Sequence, residues 1–132
     1  MRGLDTNILV RFFVQDDPEQ TATVQHLFEQ TETEGGRLHV TAITLCELVW
    51  VLGTVYRMKR PQIYAALESL FDIRLVEIQD RELVRQALAD SRTSKAEFSD
   101  HLIGWQNRRA GCIDTLTFDR ELRTAPGFTL LR

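Results

Sequence analysis

Apolar residues recur along the chain at helical spacing in the long stretches, and short apolar runs stand between them, so helices and strands are expected to alternate. A short strand ending at Leu4 hands over through Asp5-Thr6-Asn7 to the apolar run Ile8-Leu9-Val10. Asp17-Pro18-Glu19-Gln20 has the form of a helix start, with Asp at the cap, Pro at the first helical position and Gln three residues after the cap. Ala22, Leu27 and Phe28 give that helix its stripe, and Gly35-Gly36 ends it. Leu38-His39-Val40 predicts a strand. Thr44 to Glu47 opens the next helix, which runs through Leu48, Val49, Val51 and Leu52, and Arg60-Pro61 starts another with Ile63, Ala66, Leu67 and Leu70 on one face. Leu75 to Ile78 is a strand, and Asp80 caps a helix carrying Leu83, Val84, Ala87 and Leu88. Ser94 to Glu97 caps a last helix that runs to Gly111, before strands at Cys112-Ile113, extending towards Leu116, and at Phe128 to Leu131. Strands alternating with helices imply an α/β fold with a mostly parallel sheet covered on both faces.

A length of 132 residues fits a single domain, 1–132, able to bury a core without staples. The apolar fraction of 43% and charged fraction of 27% are those of a soluble globular protein, and no apolar run approaches the ~20 residues needed to cross a bilayer. The N-terminal stretch carries Asp5 and does not read as a signal peptide, so a cytoplasmic protein with no membrane partner is expected. Cys46 and Cys112 make no disulfide framework and are expected to be buried; His26, His39 and His101 are scattered without zinc-ligand spacing.

The net charge of −3 argues against nucleic-acid binding through the overall field. Four carboxylates set aside as metal ligands would leave the rest at +1, so local patches must do any phosphate binding. Arg57, Lys59 and Arg60 form one basic cluster and Arg108 with Arg109 another. Each is equally a solvated helix end, where cations favour the C-terminal dipole.

Four acids stand out against this scaffold. Asp5 and Asp119 follow strands at strand-to-helix corners, while Glu47 and Asp100 fall in the first turns of helices. Each has an ordinary structural role open to it: Asp5 or Thr6 as an N-cap, Glu47 as half of a capping box with Thr44, Asp100 as an acid favoured by the macrodipole. Together they can meet at the carboxyl edge of a parallel sheet, where ligands of α/β proteins sit. Clustered carboxylates repel unless a cation neutralises them, and hard oxygen ligands select Mg²⁺ or Mn²⁺. A divalent ion open on one side suits phosphodiester hydrolysis, because it polarises a phosphoryl oxygen and activates water. No Walker-A loop or Rossmann glycine pattern indicates a nucleotide cofactor.

The run Leu4-Asp5-Thr6-Asn7-Ile8-Leu9-Val10-Arg11, the Thr44 to Leu48 segment with its Glu47-Leu48, the stretch Phe98 to Ile103 and the corner Thr117-Phe118-Asp119-Arg120 together resemble a PIN-domain protein of the VapC toxin type. The match spans essentially the whole chain in order. The resemblance implies a three-layer PIN-like fold with a mostly parallel five-stranded central sheet flanked by helices. It also implies a Mg²⁺- or Mn²⁺-dependent endoribonuclease, the toxin of a type II toxin–antitoxin system, held in check by a VapB-like antitoxin and usually homodimeric. Asp5, Glu47, Asp100 and Asp119 fall on the family's acidic quartet, with Thr6, Asn7 and Thr117 on supporting polar positions. Glu97 stands where relatives often have Asp, and is read as an outer or second-metal ligand; His101 stands where a small residue is common. Two rivals remain open: a non-catalytic PIN-like RNA-binding domain whose acids are caps, and a phosphohydrolase with Asp5 as nucleophile, for which Thr6 and Asn7 are the wrong neighbours.

Overall fold

The computed structural model describes residues 1–132, which form two compact units, Met1–Arg81 and Glu82–Arg132. In the first unit, β1 (Arg2–Gly3) leads into α1 (Thr6–Phe13) and α2 (Pro18–Thr33), then β2 (Leu38–Val40), α3 (Ala42–Thr54), α4 (Arg60–Phe71) and β3 (Val76–Ile78). The three strands are parallel in the order β1-β2-β3. Register explains the side-chain pattern: Leu38 opposes Val76 and Val40 opposes Ile78 on buried positions, while His39 opposes Glu77 between them and its Nδ1 lies 3.0 Å from Glu77 Oε1. α3 buries Leu45, Leu48 and Leu52, spaced i, i+3, i+7. Each fully buried Leu stabilises by roughly 1.5–3 kcal/mol relative to exposure. The rings of Phe12 and Phe28 stack at 4.8 Å between α1 and α2. Gly35 takes φ 68° after α2, a left-handed conformation that costs glycine little, and ends the helix where the sequence places the stop.

In the second unit, α5 (Arg81–Arg92, entering from the boundary) and α6 (Phe98–Arg109) precede β4 (Thr115–Thr117), a 3-10 turn at Arg120–Leu122 and β5 (Phe128–Leu130). β4 and β5 pair in parallel, Thr115 with Phe128 and Thr117 with Leu130. Val84, Ala87, Leu88, Phe98, Leu102 and Leu122 are buried. No helix is long and apolar enough to cross a membrane.

The α/β class, the six helices and the five parallel strands agree with the sequence. The single five-stranded sheet does not form as one hydrogen-bonded ladder: the strands pair as three and two. The length of β1 supplies a reason. Arg2 and Leu4 spend their N–H groups on the Arg37 and His39 carbonyls at 3.1 and 2.8 Å, and alternation along a strand leaves only Gly3 facing the other way, too little for a second ladder.

Smaller corrections follow from burial and caps. The strand expected at Cys112-Ile113 begins at Thr115, and both residues are exposed, because the chain is still turning out of α6 through Gly111 at φ 96°. Cys112 is therefore an exposed thiol, and Cys46 is half-buried, with burial pushing its pKa up. Asp80 directly precedes α5 and sits at φ 52°. Ala22 faces solvent, while Val24 and Thr31 are the buried positions of α2.

Gly104 of α6 meets Phe128 of β5. A Cβ there would lie 2.6 Å from Phe128 Cε2 and 2.8 Å from Cζ. In an open helix Gly→Ala gains about 1 kcal/mol, but overpacking costs about 1–3 kcal/mol. Gly104→Ala is expected to lower the thermal midpoint by roughly 3–8 °C. A midpoint raised above wild type would show that the Phe128 ring yields instead.

Candidate functional site

Asp5 stands at the carboxyl end of β1, with extended backbone (φ −83°, ψ 163°), and caps α1. Its Oδ1 accepts from the Thr6 N–H at 2.8 Å. The Thr6 side chain is only 5% exposed, and its hydroxyl donates to Glu47 Oε2 on α3 at 3.1 Å. One residue thus connects Asp5 and Glu47, the Thr6–Glu47 bond spanning 41 positions of sequence. Both acids are exposed, as is Asn7 in the first turn of α1. A buried hydroxyl with a carboxylate acceptor is stable; the same hydroxyl without one would cost about 1–3 kcal/mol.

The Thr44/Glu47 capping box expected from the sequence does not form. Thr41 is the N-cap of α3, its Oγ1 accepting from the Thr44 N–H at 3.1 Å, and the Ala42 N–H donates to Gln79 Oε1 at 2.9 Å. The first-turn donors are met without Glu47, which lies in the second turn. Thr41 was legible as a Ser/Thr-type cap one turn earlier than assigned; Gln79 was not, being 37 residues away.

In the second unit the ordinary roles are realised. Glu97, exposed, is the N-cap of α6 and forms a capping box with Asp100, whose Oδ2 accepts from the Glu97 N–H at 3.0 Å. Ser94, expected at that cap, instead accepts from the Ala96 N–H through its Oγ at 3.0 Å. Asp119, exposed, caps the 3-10 turn, its Oδ1 accepting from the Glu121 N–H at 2.9 Å, while its own N–H donates to Thr117 Oγ1 at 3.0 Å. His101 is buried beside Asp100.

Nowhere in the chain do three His, Cys, Asp or Glu side chains form a group able to hold a metal ion. The structure brings together Asp5, Thr6 and Glu47 in one unit, and Glu97 with Asp100, and Thr117 with Asp119, in the other. The donor chemistry of the first group suits a hard cation: Mg²⁺ is commonly held by one or two carboxylates, with waters and phosphate oxygens completing its octahedron.

The basic clusters differ from each other. Arg108 and Arg109 lie in the last turn of α6, the end that favours cations, with the Arg108 guanidinium 5.6 Å from the Trp105 ring centre. Arg57, at φ 55°, closes the C-terminal end of α3, where the Met58 N–H donates to the Leu52 carbonyl at 2.9 Å, whereas Lys59 is the N-cap of α4 and Arg60 its first residue. Cations are disfavoured at a helix N-terminus, so dipole compensation accounts for Arg57 but not for Lys59 and Arg60. The helix from Thr41 also shows an outward face. Ile43 is 72% and Trp50 65% exposed, and with Glu47 they follow i, i+4, i+7. This apolar surface is not packed inside the monomer at Ile43 and Trp50.

Comparison with known proteins adds three findings. The PIN domain matches residues 4–127. The VapC ribonuclease of Aquifex aeolicus (strain VF5) is 25% identical over 123 residues, covering 93% of this chain and 90% of that protein. A toxin–antitoxin complex from Klebsiella pneumoniae aligns over 98% of this chain and 96% of the other at 14% identity, with a TM-score of 0.33, too low to establish a common fold.

If Glu47 is no cap, Glu47→Gln is expected to leave the unfolding free energy within about 0.5 kcal/mol of wild type, whereas Thr41→Ala costs about 1 kcal/mol. Urea denaturation measures both. A larger loss at Glu47 than at Thr41 would return Glu47 to a structural role.

Proposed function

The chain belongs to the PIN-domain family, and from that premise we propose that it is a divalent-metal-dependent endoribonuclease, the toxin of a type II toxin–antitoxin pair. The observation that carries the proposal is the Thr6 bridge, which holds two exposed carboxylates at a strand end although Glu47 caps no helix. The likeness to a protein named VapC ribonuclease supports RNA as substrate.

In this reading Asp5 and Glu47 hold Mg²⁺ or Mn²⁺, and Asp100 and Asp119 are the remaining members of the acidic quartet, each with one carboxylate oxygen already engaged by a cap. When bound, the ion would polarise the scissile phosphate and acidify the attacking water. Thr6 fixes the Glu47 carboxylate, Asn7 offers a neutral amide donor to a phosphate oxygen, and Thr117 positions Asp119 by accepting its N–H. Glu97 serves as an outer ligand. Arg57, Lys59 and Arg60, with Arg108 and Arg109, bind phosphates of the RNA away from the reacting bond. The family match, residues 4–127, crosses the boundary between the two units and supports reading residues 1–132 as one catalytic domain.

The lack of a three-ligand group favours a second reading, a PIN-like domain that binds RNA without cutting it. Asn caps a helix as well as Asp does, so Asp5→Asn keeps the fold and removes the charge. Mapping of cleavage on total cellular RNA is expected to show Mn²⁺-dependent cuts by wild type, reduced in Asp5→Asn to the level of the metal-free control. Equal cleavage by the two proteins would remove Asp5 from the chemistry, and no cleavage together with no heat of Mn²⁺ binding would establish the non-catalytic reading.

The antitoxin is proposed to lay an amphipathic segment on α3, covering Ile43 and Trp50, and to direct a cationic side chain at Glu47 between them. Trp50→Ala is then expected to weaken inhibition by the product of the neighbouring reading frame about 10-fold or more, the loss of a buried aromatic anchor. Cleavage assays of the co-purified pair test this; full inhibition of Trp50→Ala would move the interface elsewhere.

A further inference from the structure

Phe118 is 78% exposed at the corner where β4 turns into the 3-10 turn. It stands in an open groove of about 550 Å³, lined otherwise by Arg120, Arg123, Leu130, Leu131 and Arg132. The groove is shaped by local order. The Leu131 N–H donates to the Thr117 carbonyl at 2.8 Å, tying the end of β5 to β4, and Leu122, buried, anchors the turn. Arg120 and Arg123 are three residues apart across a 3-10 turn, where positions i and i+3 eclipse, so both guanidiniums serve one side. Neither makes an ion pair with a carboxylate, and no acidic side chain lines the groove.

An exposed aromatic beside uncompensated arginines is what a single-stranded nucleic acid requires: a π-face for a base and cations for its phosphates. The exposed ring favours RNA over an acidic peptide, because a base stacks on an aromatic face and a carboxylate does not. Residues 82–132 also carry eight Lys and Arg against seven Asp and Glu, although the whole chain is acidic.

The geometry points to this groove as the track for single-stranded RNA, with a base stacked on Phe118 and the flanking phosphates on Arg120 and Arg123. It rests on the nuclease reading and goes beyond it, naming Phe118 as the stacking platform and Arg120 and Arg123 as its phosphate contacts.

The test is fluorescence anisotropy of a labelled single-stranded oligoribonucleotide of ~12 nucleotides in EDTA, where no cleavage occurs. Phe118→Ala is expected to weaken binding about 5- to 100-fold, and Phe118→Trp to restore it. Arg120→Gln with Arg123→Gln, an independent variant, should lower the slope of log affinity against log salt by about 1.4. The same sequence as a duplex, its bases already stacked, should bind Phe118→Ala and wild type alike. Unchanged single-strand binding by Phe118→Ala, or an equal loss with the duplex, would overturn the proposal. So would a labelled oligoglutamate that binds more tightly than RNA through Phe118, which would make the groove a seat for an acidic protein segment. Cleavage is scored separately. Phe118-dependent RNA binding without Mn²⁺-dependent cutting would sink the nuclease reading and support the groove; cutting by wild type with Phe118-independent binding would sink the groove alone.

Discussion

A buried hydroxyl must find a partner, and Thr6 finds Glu47. Much else in the first unit depends on this bond. It joins α1 to α3 at the end of β1, fixes the direction of the Glu47 carboxylate, and sets it one residue from Asp5 along a chain of two hydrogen bonds. The bond gives Glu47 a partner outside its own helix. An acid in the second turn of a helix whose first N–H groups are already met by Thr41 and Gln79 has no capping duty, and the Thr6 hydroxyl holds its carboxylate instead.

The other three acids show a different economy of means. Asp5, Asp100 and Asp119 each use one carboxylate oxygen at a helix or turn start. Capping and ligation are not exclusive, because a carboxylate has two oxygens and a cap needs one. A cap fixes the backbone and leaves the second oxygen at a known direction. Thr117 plays a comparable part, its hydroxyl holding the Asp119 backbone rather than its side chain.

The surface divides its work by chemistry. On α3, Ile43 and Trp50 flank Glu47 on the outward face, an apolar frame around a charge. At the corner after β4, Phe118 stands among arginines. The first pattern suits a protein segment with an apolar stripe and one cation; the second suits a polyanion with flat bases. Both exposed aromatics lie within three residues of an acid of the proposed quartet in sequence.

Hydrophobic period and turn chemistry, both local, were enough to read the α/β alternation, the parallel strands, the end of α2 at Gly35-Gly36 and the corners that carry Asp5 and Asp119. Local spacing misled where two caps competed within one turn: Thr44 was read for Thr41, and Ser94 for Glu97. It also misled where an apolar pair, Cys112-Ile113, lay in a turn. Only the tertiary structure decided the Thr6–Glu47 bond, the Gln79 cap on α3, the contact that requires glycine at position 104, and the division of five strands into ladders of three and two. Each of these joins residues distant in sequence, and a hydrogen bond or a close contact between distant residues leaves no period for a linear pattern to show.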